Sequence, residues 1–165
     1  MTFSGTLSAI LNLDLVNAGD ISTAKDQPRK TLSAVFADGT GINQANNVYH
    51  AQRLLTTGQS EDLDLAGGGL LNPFGNALTF TKVKAIVIFA LAANTTILTL
   101  SRPTNGLPFF GAVGDALDLK PGGIFMFIDP SAAGVAVTGG SADLVRVANA
   151  SGASASYQII IVGTT

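Results

Sequence analysis

An all-β fold of antiparallel strands, closed as a sandwich or barrel, is what this sequence predicts, and three observations carry the prediction. Short apolar runs recur along most of the chain; Gly, Pro, Asn or Asp punctuates nearly every gap between them; and the opening segment alternates with period two. At 165 residues the chain suits a single domain, which buries roughly 70% of its unfolded surface. With no cysteine, disulfides, thiolate metal sites and cysteine nucleophiles are all excluded.

The first element spans the alternating stretch. Phe3, Leu7, Leu11, Leu13 and Leu15 share one parity, and Thr2, Ser4, Thr6, Ser8, Asn12 and Asp14 take the other. That rhythm is a half-buried strand, or two strands in line. "NAGDISTAKDQPRK" follows, polar and containing a proline, and reads as a loop or exposed excursion. "TLSAVFA" resumes strand character and "DGTG" ends it with turn chemistry. "VYHAQRLLT" fits a short helix or a strand, and the strand is preferred. Further strands are expected at 78–91, 95–101, 116–119, 124–128, 135–138, 143–148 and 157–162. Residues 59–165 form the best-defined part of the sandwich, and residues 1–29 form an extended N-terminal arm or strand.

"KAIVIFALA" is the most apolar part of the chain. A helical membrane span needs about 20 residues, whereas the apolar run from Ala85 to Ala93 is nine. Its Ile86, Val87, Ile88 and Phe89 favour a strand. This run, "IFMF" and "IIIV" are apolar on both parities, although antiparallel sheets normally show water one face. The second face must be covered by the N-terminal portion of the chain or by another subunit.

Charged residues make up 12% of the chain against a usual ~25%. With a net charge of -2 and no basic cluster longer than "PRK", nothing marks a nucleic-acid or anionic-lipid surface. "MTFSGTLSAILNLDLV" lacks a basic leader and a continuous apolar core, so no signal peptide is expected and synthesis in a cytoplasm is.

Candidate chemistry is sparse. His50 is the sole histidine, and no G-x-S-x-G element accompanies it, so neither a catalytic triad nor a histidine-rich metal site is expected. Glu61, Asp62 and Asp64 could hold calcium in a loop, but the spacing of a calcium loop is absent, and on a strand Asp62 and Asp64 would share the solvated parity. The glycines of "DGTG", "AGGG" and "KPGG" match no phosphate-binding pattern. Asn94 and Asn149 begin glycosylation-type triplets that carry no function without secretion. No catalytic residue, metal or cofactor is assigned. Phe109 and Phe110, adjacent in a Gly- and Pro-rich loop, are either a plug on the end of the sandwich or a contact hot spot. With Phe3, Leu7 and Leu11 of the arm they are the candidate interaction residues.

The succession "EDLDLAGG", "FGNALTFTKVKAIVIF", "LKPGGIFMFIDPSAAGVAVTGGSADLVRVAN" and "YQIIIVGTT" resembles a group of small structural proteins of tailed bacteriophages, found among head and other virion components. The likeness covers about residues 61–165 and rests on hydrophobic rhythm with the "KVKAI", "PGG" and "SADLVRVAN" islands. It implies a sandwich of jelly-roll type that assembles as a homotrimer and binds the major capsid protein on the outside of the particle, as a decoration or cement protein. A tail, tail-tip or fibre-associated component is the alternative within the virion. A carbohydrate-binding module is the alternative outside it, weakened by the absence of Trp and the presence of only two Tyr.

Overall fold

The computed structural model describes residues 2–150 and 152–165, and among them there is no helix. The strands in chain order are β1 (Gly5–Asn12), β2 (Leu15–Ala18), β3 (Thr23–Asp26), β4 (Arg29–Asp38), β5 (Gln44–Ala45), β6 (Asn47–Leu55), β7 (Ser60–Asp64) and β8 (Leu70–Leu71). They continue with β9 (Ala77–Leu78), β10 (Lys82–Ala90), β11 (Leu98–Ser101), β12 (Ala116–Leu119), β13 (Ile124–Ile128), β14 (Val135–Ala136), β15 (Leu144–Ala148) and β16 (Ala155–Thr164).

Two sheets pack face to face as a β-sandwich. One has the order β13-β10-β16-β6, with β14 also paired to β10, and the other has the order β12-β11-β15-β7. Of the links joining these eight main strands in sequence, only β11 to β12 is a hairpin within one sheet; every other link changes sheets. The first of the eight lies beside the last, with β6 antiparallel to β16 over nine residue pairs from Asn47↔Gly163 to Leu55↔Ala155. Parity explains the core: Ile86 and Ile88 of β10, Tyr157, Ile159 and Ile161 of β16, Leu63 of β7, Leu98 and Leu100 of β11 and Val147 of β15 all point between the sheets and are buried.

The two open sides of the sandwich close by different chemistry. On the β13/β12 side, Phe109 and Phe110 come from the β11–β12 loop and stack on inward rings of β13. Phe109 lies 5.1 Å from Phe127 and 6.3 Å from Phe125, and Phe110 lies 5.9 Å from Phe125. Arg102 holds that loop through its Nη1, which donates to the carbonyls of Phe110 (3.2 Å) and Gly111 (2.7 Å). On the β6/β7 side, Arg53 Nη2 meets Glu61 Oε2 at 3.0 Å, and the hydroxyl of buried Tyr157 donates to Glu61 Oε1.

Three sequence expectations change. The excursion at residues 17–30 is not a loop but the end of a β-ribbon: β1 and β4 pair over eight residues from Gly5↔Phe36 to Asn12↔Arg29, and β2 and β3 pair beyond them. The arm therefore runs to residue 38 rather than 29, because the strand at "TLSAVFA" is its return limb. The strand preferred at "VYHAQRLLT" is β6, which pairs with β16 and so extends the sandwich N-terminally of the best-defined part at 59–165, to Asn47. Finally, the strand expected at 78–91 is two elements, β9 and β10, and β10 carries a bulge between Val83 and Ala85 that leaves Lys84 without a ladder partner.

Candidate interaction surface

The outer face of the β13-β10-β16-β6 sheet is read from its registers as successive rows. The first contains Ile128, Ala85, Val162 and Val48. It is covered by the root of the arm, where buried Phe36 and Ala45 pack with Phe3, Leu7 and Ala34 into a second apolar cluster. The apolar second parity of "KAIVIF" is thus satisfied at this end by the chain's own N-terminal portion.

The root is held by polar contacts as well. Phe3 N donates to Asp38 Oδ1 at 3.1 Å, and Ala37 N donates to the carbonyl of Asn43 at 2.9 Å. Beneath the root, the bulge turns Lys84 into a fully buried position, where its ammonium donates to the carbonyls of Ser131 and, at 3.3 Å, Gly41. Burial and then the charge of Lys82 push the Lys84 pKa down, against a smaller opposing pull from Asp129. Sequence inspection missed this lysine, because "KVKAI" shows two lysines and gives no sign of which one a bulge would bury.

The next rows are uncovered. Met126, Val87, Ile160 and His50 form the second, and Ile124, Phe89, Gln158 and Gln52 the third. Ile124 is 61% exposed, Ile160 43% and Met126 38%. An apolar strip therefore crosses β13, β10 and β16, and it gives way to amides on β6, where Gln158 Nε2 donates to Gln52 Oε1 at 3.0 Å. His50 lies at the border in a shallow depression with Ala51, Gln52, Gln158, Ile159 and Ile160, a lining without carboxylate or hydroxyl.

Beyond its root the arm is solvent-exposed on both faces. Ile10, Leu13, Leu15, Val16 and Leu32 are half exposed or more, and Ile21, in the turn where Gly19 N bonds the Ser22 carbonyl, is wholly exposed. The junction between the two halves of the ribbon is fastened in water by Arg29, whose Nη1 donates to the Leu13 carbonyl at 2.8 Å and whose Nη2 meets Asp14 at 2.9 Å. Between the inner face of the arm (Ala9, Leu32, Ala34) and the sheet (Met126, Ile128, Pro130) opens a cleft of about 530 Å³.

The five candidate interaction residues fall into separate places. Phe3 and Leu7 cover the first row, Leu11 is 49% exposed farther along the arm, and Phe109 and Phe110 belong to the aromatic closure on the sandwich core. The geometry of these two phenylalanines is that of a plug. The acidic triplet does not converge: Glu61 turns inward to Arg53 and Tyr157, Asp62 binds Arg146 through two bonds of 2.7 and 2.6 Å, and Asp64 Oδ1 accepts the amides of Ala66 and Gly67. Asn149 is buried, its amide donating to the Leu55 and Ala153 carbonyls, while Ser151 of its triplet lies outside the described residues. Asn94 exchanges bonds of 2.8 Å with the backbone of Ser156 in both directions. No protein-family model, curated protein or solved structure matches the chain.

Proposed function

We propose that this protein is a structural component of a tailed-bacteriophage particle, a decoration or cement protein that binds the outer surface of the head and ties neighbouring major capsid subunits together as a trimer. One observation carries the reading. A closed, well-packed sandwich bears a ribbon whose apolar side chains are almost all turned to solvent beyond its root. A two-stranded ribbon of this kind is marginal by itself in water, so such an element is built to be covered by something outside its own domain.

The sheet orders support the finer fold reading, since eight strands with the first beside the last and links alternating between sheets fit a jelly roll. The sequence resemblance to phage structural proteins points the same way. Each contact on a particle can be modest, because several copies of an interface on one trimer multiply through effective concentration.

The test is the copy number of this chain per purified particle, by quantitative mass spectrometry against the most abundant shell protein. One copy per shell subunit, or one trimer per local three-fold, is the expected result. A small multiple matching tail symmetry would move the protein to the tail. Absence from particles would remove the virion role.

A further inference from the structure

We infer that the uncovered strip and the open cleft are occupied by the arm of a second copy of this chain. The inference rests on the trimeric reading above and deepens it by naming the contact between copies, and its two primary measurements are made on the purified chain without particles.

Four observations lead there. The first row of the sheet shows what this face accepts: the arm's own root, packed through Phe3, Leu7, Ala34 and Phe36. The strip of Val87, Met126, Ile160, Phe89 and Ile124 continues that packed row without a break, so the surface that binds one arm segment extends beyond where the chain's own root ends. Secondly, every copy carries both halves in excess, an arm lacking a sheet and a sheet lacking an arm. A second copy satisfies both at once, whereas a foreign partner would have to supply a complement for each.

Thirdly, length permits it. From Ser8 to Gly19 the outgoing limb has 12 residues, and at about 3.4 Å per residue it reaches up to about 40 Å, against a width of about 15–20 Å for a four-stranded sheet. Fourthly, charge does not oppose it. Apart from His50, the second and third rows carry no ionisable side chain, and beyond the root the paired inner positions Ala9, Leu11 and Leu32 are uncharged, with Lys30 beside Leu11 and Asp26 beside Leu15 the exceptions. Surfaces of this kind meet their own copies without repulsion. Passing the arm from one copy to the next joins unlike patches, so the assembly closes as a ring or by reciprocal exchange.

Two measurements on the full-length purified chain test this. Light scattering across the micromolar range should give a closed oligomer, and Met126→Glu with Ile160→Glu should raise its dissociation constant about tenfold or more while the unfolding midpoint of the sandwich stays unchanged; Ile160→Thr is the gentler variant if the double change perturbs folding. Because the chain has no cysteine, chains carrying only Leu15→Cys can be mixed with chains carrying only Ile124→Cys. A mixed disulfide is expected, and Asp118→Cys, on the other sheet, should give none. A monomer throughout the range, or equal cross-linking at Asp118, overturns the inference. A monomer that is still found at one trimer per local three-fold on particles would mean that the shell protein takes the arm, and the decoration role would survive while arm exchange falls.

Discussion

Tyr157 and Glu61 meet between the two sheets: the phenol donates to one carboxylate oxygen, and the other lies 3.0 Å from Arg53. Tyr157 comes from the last strand and Glu61 from β7 at the facing sheet edge, so the pair clasps the side of the sandwich that has no aromatic plug. Burial, followed by the bond to Glu61 and its charge, pushes the Tyr157 pKa far above the usual tyrosine value.

Tyr49, the other tyrosine, is also raised, chiefly by burial. Above pH 10 the unfolded chain loses the Tyr157 proton and the folded chain keeps it, so stability falls by up to about 1.4 kcal/mol per pH unit through Tyr157, and Tyr49 adds to the fall in the same direction. Lys84 acts in the opposite sense below 10.5, since its lowered pKa leaves the unfolded chain with more protons there. The expected outcome is that tyrosinate absorbance is absent from the folded protein near pH 10 and rises only together with loss of the β-sheet circular dichroism signal. Two tyrosines ionising near pH 10 with the fold intact would refute the clasp. Tyr157→Phe should cost about 1–3 kcal/mol, because it leaves a half-buried carboxylate short of a donor.

Phe109 and Phe110 are predicted to act on stability rather than assembly. Either change to Ala should lower the denaturation free energy by about 2–4 kcal/mol, somewhat below the value for a fully buried ring, without altering the oligomer mass. Chemical denaturation and light scattering on the same samples check this. An unchanged midpoint with lost assembly would restore the contact-site reading.

Gly163 lies in β16 opposite Val83, and a Cβ there would overlap the Lys82 carbonyl oxygen and the ring of buried Phe80. Gly163→Ala should destabilise by about 1–3 kcal/mol, since backbone on one side and a core ring on the other leave little room to relax. A thermal midpoint equal to that of the parent would show that the bulge beside it absorbs the methyl group.

Shortening the arm separates fold from contact. Ser8 and Ser33 are paired in the ribbon, so replacing residues 9–32 by Asn-Gly closes it with a two-residue turn and keeps Phe3, Leu7, Ala34 and Phe36 over the first row. The shortened chain should unfold at the same midpoint as the parent and, on the proposed decoration role, bind particles at least tenfold more weakly. Particle binding at parental strength would show that the arm is not the contact.

The sequence by itself determined the all-β class, most strand positions and the inward sets of the sandwich. Alternation and turn residues are local signals, and side-chain parity follows directly from them. It also showed that "KAIVIF", "IFMF" and "IIIV" are apolar on both parities. Tertiary structure alone decided the rest. Strand order depends on which distant edges meet, and residues such as Asn47 and Gly163 have no local mark of being partners. The polar stretch before "TLSAVFA" reads as a loop because exposed ribbon ends share their composition with loops; only its pairing makes it an arm. Likewise, the bulge that buries Lys84 arises in the pairing of β10 with β16, and the division of the outer face into a row covered by Phe36 and a strip left bare at Ile124, Met126 and Ile160 is set by where the arm's root lands on the sheet. That landing is a long-range packing event between segments more than 40 residues apart, and no periodicity within either segment encodes it.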